Sequence, residues 1–308
     1  MAQTLSNSSS PLVTVGLPSY NRPSGLHQTL TDITNQTYGN LEIIVSDNGS
    51  SNTECVRVAQ EYASRDARIT MYRHPTNIGP FENFESILSK ARGKYFALAA
   101  DDDRREPWFI ERCVAALESR GSSATAAITE AQYFSGETVF PFFAEGSAFR
   151  AHGHVERRER LRLMLEENYG NLFYSVYRRD ALFIDSTPLF SALKIRSLNE
   201  TPLLLHVVAR GDWIVLPEIG MRKEAPLSAY LQARWEKQGG RLPKVCGART
   251  ISAIRSLYSY HAAALAEIRR ALALLSLPPD DAKELDSAAR RKVWMHFLSL
   301  LHGYRRRQ

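Results

Sequence analysis

No apolar run in this sequence approaches the roughly 20 residues that span a bilayer, which excludes a membrane-crossing helix within it. Cysteine is scarce as well. The chain holds three, Cys55, Cys113 and Cys246, an odd number with no metal-ligand spacing. That excludes a disulfide scaffold and a cysteine-ligated metal centre, and free thiols in a reducing cytosol are expected. Met1 to Ser10 lack both the basic start and the apolar stretch of a secretory leader, so a cytoplasmic location is expected. Glycine is missing where a triphosphate-cradling loop would need it, in Leu17-Pro18-Ser19-Tyr20-Asn21 after the first apolar run.

What is present is ordinary in bulk and uneven in placement. The composition, 44% hydrophobic and 23% charged, fits a folded globular chain. The net charge is +6, yet the residues after Val245 hold 11 Lys and Arg against 5 Asp and Glu. The rest of the chain is therefore neutral, and the basicity belongs to the tail.

Leu12 to Leu17, Leu41 to Val45, Ile69 to Tyr72 and Lys94 to Ala100 read as buried strands. Helical periodicity separates them: Leu26, Leu30 and Ile33 on one face, with Ser24 as the expected cap; Val56, Ala59 and Tyr62 on a second; Phe81, Phe84, Ile87 and Leu88 on a third. This alternation marks an α/β fold with a mostly parallel sheet flanked by helices. Such sheets bind ligands beyond the carboxyl ends of their strands. Polar clusters stand at four such ends: Ser19 to Asn21, Asp47 to Ser50, Asn77 to Gly79 and Asp101 to Asp103. Each alone could be turn chemistry, but together they suggest one crevice.

The triple carboxylate ending the fourth strand suits a divalent cation, since Mg2+ and Mn2+ take oxygen ligands and would relieve the repulsion. An exposed Asp-rich turn is the plainer alternative.

"VTVGLPSYNRP", "LEIIVSDNGSSN", "HPTNIGPFENF" and "ARGKYFALAADDDRREPWF" resemble, in order and spacing, family 2 glycosyltransferases of the GT-A fold; "NETPLLLHVVARGDWIVLPE" follows more loosely. The resemblance implies a GT-A-like sheet, inversion at the anomeric carbon, Mn2+ or Mg2+, and a nucleotide-sugar donor, UDP- or dTDP-linked. It implies donor contacts from Pro18, Ser19, Tyr20, Asn21, Asp47, Asn48, Asn77, Asn83, Asp101 and Arg222. It implies metal ligation by Asp102 and Asp103, and a catalytic base at Glu200. Arg222 and Lys223 would lie after a short strand, Trp213 to Leu216. Where the family often has an Arg before the position of Asn83, this chain has Glu82.

Residues 1–120 are expected to bind the donor, 121–225 to complete the same domain on the acceptor side, and 226–308 to form a basic helical extension. The acceptor implied is a glycan or lipid-linked hydroxyl of surface polysaccharide or glycolipid assembly. A catalytically inactive sugar- or partner-binding module and a sugar-phosphate nucleotidyltransferase are the alternatives. In the last helix Val293, Trp294, Phe297, Leu298 and Leu301 share a face between Arg290 to Lys292 and Arg305 to Arg307. It either packs on the body or contacts an anionic membrane face peripherally. No nucleic-acid recognition motif accompanies the charge.

Overall fold

The computed structural model describes residues 10–101, 103–135, 138–141, 156–167, 171–195, 200–224 and 248–305. Its elements run β1 (Val13–Ser19), α1 (Pro23–Thr34), β2 (Leu41–Asp47), α2 (Thr53–Arg65), β3 (Ile69–Arg73), α3 (Pro80–Lys90), β4 (Tyr95–Leu98), β5 (Asp103–Arg105), α4 (Phe109–Ser119), β6 (Ala124–Ser135), β7 (Thr138–Pro141), α5 (Arg157–Glu167), β8 (Val176–Arg178), β9 (Phe183–Ile184), β10 (Thr187–Pro188), α6 (Leu189–Leu193), α7 (Thr201–Arg210), β11 (Asp212–Glu224), α8 (Ala248–Ala273) and α9 (Pro279–Arg305).

The main sheet has the order β3-β2-β1-β4-β8-β6-β11-β5, with β7 beside β6. β1, β2, β3 and β4 are mutually parallel, as is the β6–β11 pair. β8 runs antiparallel between β4 and β6, and so joins the two parallel blocks. β5 caps the edge antiparallel to β11. Every residue of β2 is buried, as expected for a strand covered by helices on both faces. Leu26, Leu30 and Ile33 of α1 are buried against that core. Each such side chain contributes about 1.5–3 kcal/mol by leaving water.

Two local expectations are corrected. Ser24 does not cap α1: Arg22 is the N-cap without a side-chain bond, and Pro23, whose fixed φ suits a first helical turn, begins the helix. The short strand expected over Trp213 to Leu216 is β11, which runs through Glu224 with register shifts between Leu216 and Ile219 and between Ile219 and Met221. Arg222 and Lys223 therefore stand inside a strand.

α8 and α9 pack on each other, α8 also meets α7, and α9 meets α5. Leu285, Ala288, Ala289 and Phe297 of α9 are buried, while Trp294 is 55% exposed. Buried His206 of α7 meets the Ala271 carbonyl at 3.0 Å through Nε2. Burial pulls its pKa down to about 4, so the neutral ring donates that bond. Arg157 donates to the Leu275 carbonyl at 2.8 Å. The described part of the tail thus joins the body. No helix among the described residues is long and apolar enough to cross a membrane.

Candidate active site

The first two strand ends meet directly, because parallel register sets Ser19 beside Asp47. Asp47 is buried. Its Oδ2 accepts from the Ser50 amide at 3.2 Å and lies 3.2 Å from Arg73 Nε. Its Oδ1 and the Ser19 hydroxyl are buried with no hydrogen-bond partner among the described residues. Leaving such atoms unmet costs about 1–3 kcal/mol each. Two orphaned polar atoms on adjacent strand ends mark a place where a polar ligand group would be welcome.

The neighbouring asparagines are committed to holding the loops. Asn48 donates through Nδ2 to Asn77 Oδ1 and the Gly79 carbonyl, both at 3.1 Å, and its Oδ1 accepts from the Ile78 amide at 2.9 Å. It thereby staples the loop before α3 to the end of β2. Asn21, at φ 55°, accepts from the Asn52 amide at 3.0 Å through Oδ1. Asparagine tolerates that left-handed backbone better than most residues. Asn83 accepts from the Ser46 hydroxyl at 2.6 Å and donates to the Ser46 carbonyl at 3.2 Å, so both ends of its buried amide serve packing. Pro18 is half-buried, and the Tyr20 ring is 44% exposed beside these loops.

The aspartates divide. Asp101 pairs with Arg22 at 3.1 Å. Asp102 lies outside the described residues. Asp103 is 1% exposed and opens β5, where antiparallel register sets it opposite Lys223 of β11. Lys223 Nζ lies 3.3 Å from Asp103 Oδ1 and 4.1 Å from the centre of the Tyr174 ring. Side chains alternate along a strand, so Arg222 faces the other side of the sheet. There it pairs with Glu106 at 3.1 Å. It lines a cavity of about 670 Å³ shared with Asp32, Arg104 and Arg105. The basic residue beside the aspartates is therefore Lys223, not Arg222. The sequence offers both Arg222 and Lys223, and a strand ended too early cannot tell which of them faces the aspartates.

Glu200 stands immediately before α7 and is half-buried. Burial raises its carboxyl above the ordinary carboxylate range, against the opposing pull of its own backbone amide, Lys292 of α9 and Lys223. Lys223 thus bears on both Asp103 and Glu200. The sequence shows Lys292 only as one of a basic cluster on the last helix, because nothing local ties it to Glu200; the packing of α8 and α9 on α5 and α7 brings it in. Asp212, another carboxylate near α7, begins β11 and pairs with Arg160 at 3.5 Å, at the far end of the strand from Lys223.

The model of glycosyl transferase family 2 matches residues 14–182, more than half of the chain. The chain belongs to glycosyl transferase family 2. An uncharacterized glycosyltransferase of Haemophilus influenzae is 36% identical over 108 residues, which are 35% of this chain and 33% of that protein. The uncharacterized glycosyltransferase EpsJ of Bacillus subtilis is 31% identical over 212 residues, 68% of this chain and 60% of EpsJ. The chain spans about a third of the length of the first curated relatives that it matches. Among solved structures, S. aureus TarS 1-349 in complex with UDP-GlcNAc superposes with TM-score 0.63 at 12% identity, covering 91% of this chain and 72% of that one. A mannosyltransferase of Pyrobaculum calidifontis in complex with GDP-Man and Mn2+ gives TM-score 0.51 at 14% identity over 96% of this chain and 86% of that one. These likenesses show the fold, a GT-A-like, mostly parallel sheet flanked by helices.

Proposed function

We propose that this chain is a metal-dependent, inverting glycosyltransferase that moves a sugar from a nucleotide-sugar donor to an acceptor hydroxyl. The observation that carries the reading is the buried Asp103 with Lys223 at 3.3 Å, together with Glu200, a carboxyl raised by burial that feels the same lysine. A carboxylate of raised pKa beside a charged partner is a candidate for the base role.

The donor's nucleotide is assigned to the first two strand ends. The orphaned Asp47 Oδ1 and Ser19 Oγ are the polar atoms a base or ribose would satisfy, and the exposed Tyr20 ring offers a stacking surface. The neighbours carry UDP-GlcNAc, UDP or GDP-Man, which supports a nucleotide-sugar donor and leaves UDP and dTDP as our reading of the base.

The donor set fits Mn2+ or Mg2+: hard carboxylate oxygens, with Asp103 already holding a cationic stand-in. Asp103, with Asp102 and Asp101 beside it in sequence, would hold the ion, which when bound supplies charge neutralisation at the departing diphosphate. Glu200 takes the proton of the acceptor hydroxyl. The acceptor oxygen forms its bond to the anomeric carbon as the bond from that carbon to the diphosphate oxygen breaks. Attack from the face opposite the leaving group inverts the centre.

Glu200→Gln keeps the shape and removes the proton acceptor. Turnover should fall by about 10²–10⁴, the usual worth of a general base, with donor affinity nearly unchanged. Near-normal turnover in that variant would move the base elsewhere.

A further inference from the structure

We propose that Lys223 is a built-in counter-ion that occupies the cation seat of Asp103 until a divalent cation arrives with the donor. The inference rests on the metal reading above and adds an exchange to it.

A buried carboxylate needs a cation near it, because an isolated charge there would be severely penalised. Asp103 is 1% exposed, so this demand holds at all times, with or without donor. Register pairing of β5 with β11 answers it by placing Lys223 directly opposite. The ammonium stands 3.3 Å from Oδ1, and the face of Tyr174 at 4.1 Å gives it a second attractive surface. Mg2+ binds a carboxylate oxygen at about 2.1 Å. A divalent ion on Oδ1 and an ammonium at 3.3 Å from the same atom would repel each other strongly at that range. The two cations are therefore alternatives.

Lysine suits the exchange. It is a compact charge on a flexible four-carbon stem, so it can leave Asp103 without moving the strand. The donor supplies the reason to leave: its diphosphate is an anion for the displaced ammonium. Without donor, metal binding must break the Asp103–Lys223 pair with nothing gained for Lys223. With donor, both cations find anions. Metal and nucleotide binding are then coupled, and the coupling is reciprocal.

The test is Mn2+ binding to the full chain, read from the free-Mn2+ electron paramagnetic resonance signal, with and without UDP. The wild type should bind Mn2+ weakly alone and at least about tenfold more tightly with UDP, within the usual range of coupling between sites. Lys223→Met should bind Mn2+ without UDP about tenfold or more tighter than the wild type, and UDP should then add little. Lys223→Arg keeps the charge and adds a bidentate fork, so it should hold the carboxylate harder and weaken Mn2+ binding. Mn2+ affinity in Lys223→Met equal to or below the wild type overturns the exchange. If that variant does not fold, Lys223→Arg decides, and Mn2+ binding as tight as in the wild type overturns it. A wild type that binds no Mn2+ even with UDP overturns the metal reading itself, and the exchange with it.

Discussion

Glu200 is held where its charge is costly, and that has a readable consequence. Burial favours the protonated form, so its pKa is raised while Lys292 and Lys223 oppose the rise. As the proposed base, Glu200 must be ionised to act. The acid limb of kcat/KM should therefore lie above the ordinary carboxylate range, with activity rising as pH passes Glu200's own pKa. The sign for stability is the reverse. A raised carboxyl pKa means that ionisation costs folded-state free energy, so Glu200 destabilises the fold as pH climbs past the ordinary carboxylate value. Lys292→Met removes one opposing positive charge and should shift the acid limb to higher pH. A pH–rate profile unchanged by that substitution would show that Lys292 does not reach the base. Lys292 feels the same burial, which pulls its pKa down to about 8 against the attraction of Glu200.

Among the elements, α1 governs the aspartate loop more than its surface suggests. Its first turn presses on the chain at Asp101, and Gly25 is the residue that permits it: a methyl there would collide with the Asp101 carbonyl oxygen. Gly25→Ala should cost about 1–3 kcal/mol, as overpacking does, and should weaken Mn2+-dependent nucleotide binding by displacing the loop. Ser24→Ala, on the same turn but exposed and not capping, should change stability by less than about 0.5 kcal/mol. Urea unfolding and UDP titration of both variants check this; a Gly25→Ala protein as stable and as tightly binding as the wild type would refute the role given to α1. The ends of β1, β2 and β4 were legible in the sequence because a buried strand is an apolar run and its polar terminus contrasts with it, as Leu41 to Asp47 illustrates. The end of β11 was not legible. Pro217 and Gly220 ordinarily interrupt strands, and here bulges absorb them while the Gly220 amide donates to Thr129 Oγ1 at 3.1 Å. One misread strand end was enough to hide that Arg222 and Lys223 point to opposite sides of the sheet. Asn48 and Asn83 illustrate a different limit: residue type announced polar chemistry, and only coordinates reveal that it is directed at Ile78 and Ser46.

At the scale of the molecule, the tail is tied to the body. α9 buries Phe297 and Leu285, its Arg291 reaches Glu166 of α5 at 3.2 Å, and its Arg290 pairs within the helix with Asp286 at 2.7 Å. The basic excess beyond Val245 therefore includes charges already paired within the fold, and the same helix delivers Lys292 to the neighbourhood of Glu200. What the sheet, its loops and this tail enclose is, in our account, one site for a nucleotide-sugar and a divalent ion. Thermal unfolding of the full chain against UDP-, dTDP- and GDP-sugars, with and without Mn2+, tests that claim most directly. A ligand that binds only the native state stabilises by RT ln(1 + [L]/Kd), about 2.7 kcal/mol at a hundredfold excess over Kd. At least one nucleotide sugar should raise Tm by several degrees in the presence of Mn2+, Glu200→Gln should keep the shift, and Asp103→Asn should lose it. No shift with any nucleotide sugar, or a shift that survives in Asp103→Asn and ignores Mn2+, would contradict that claim.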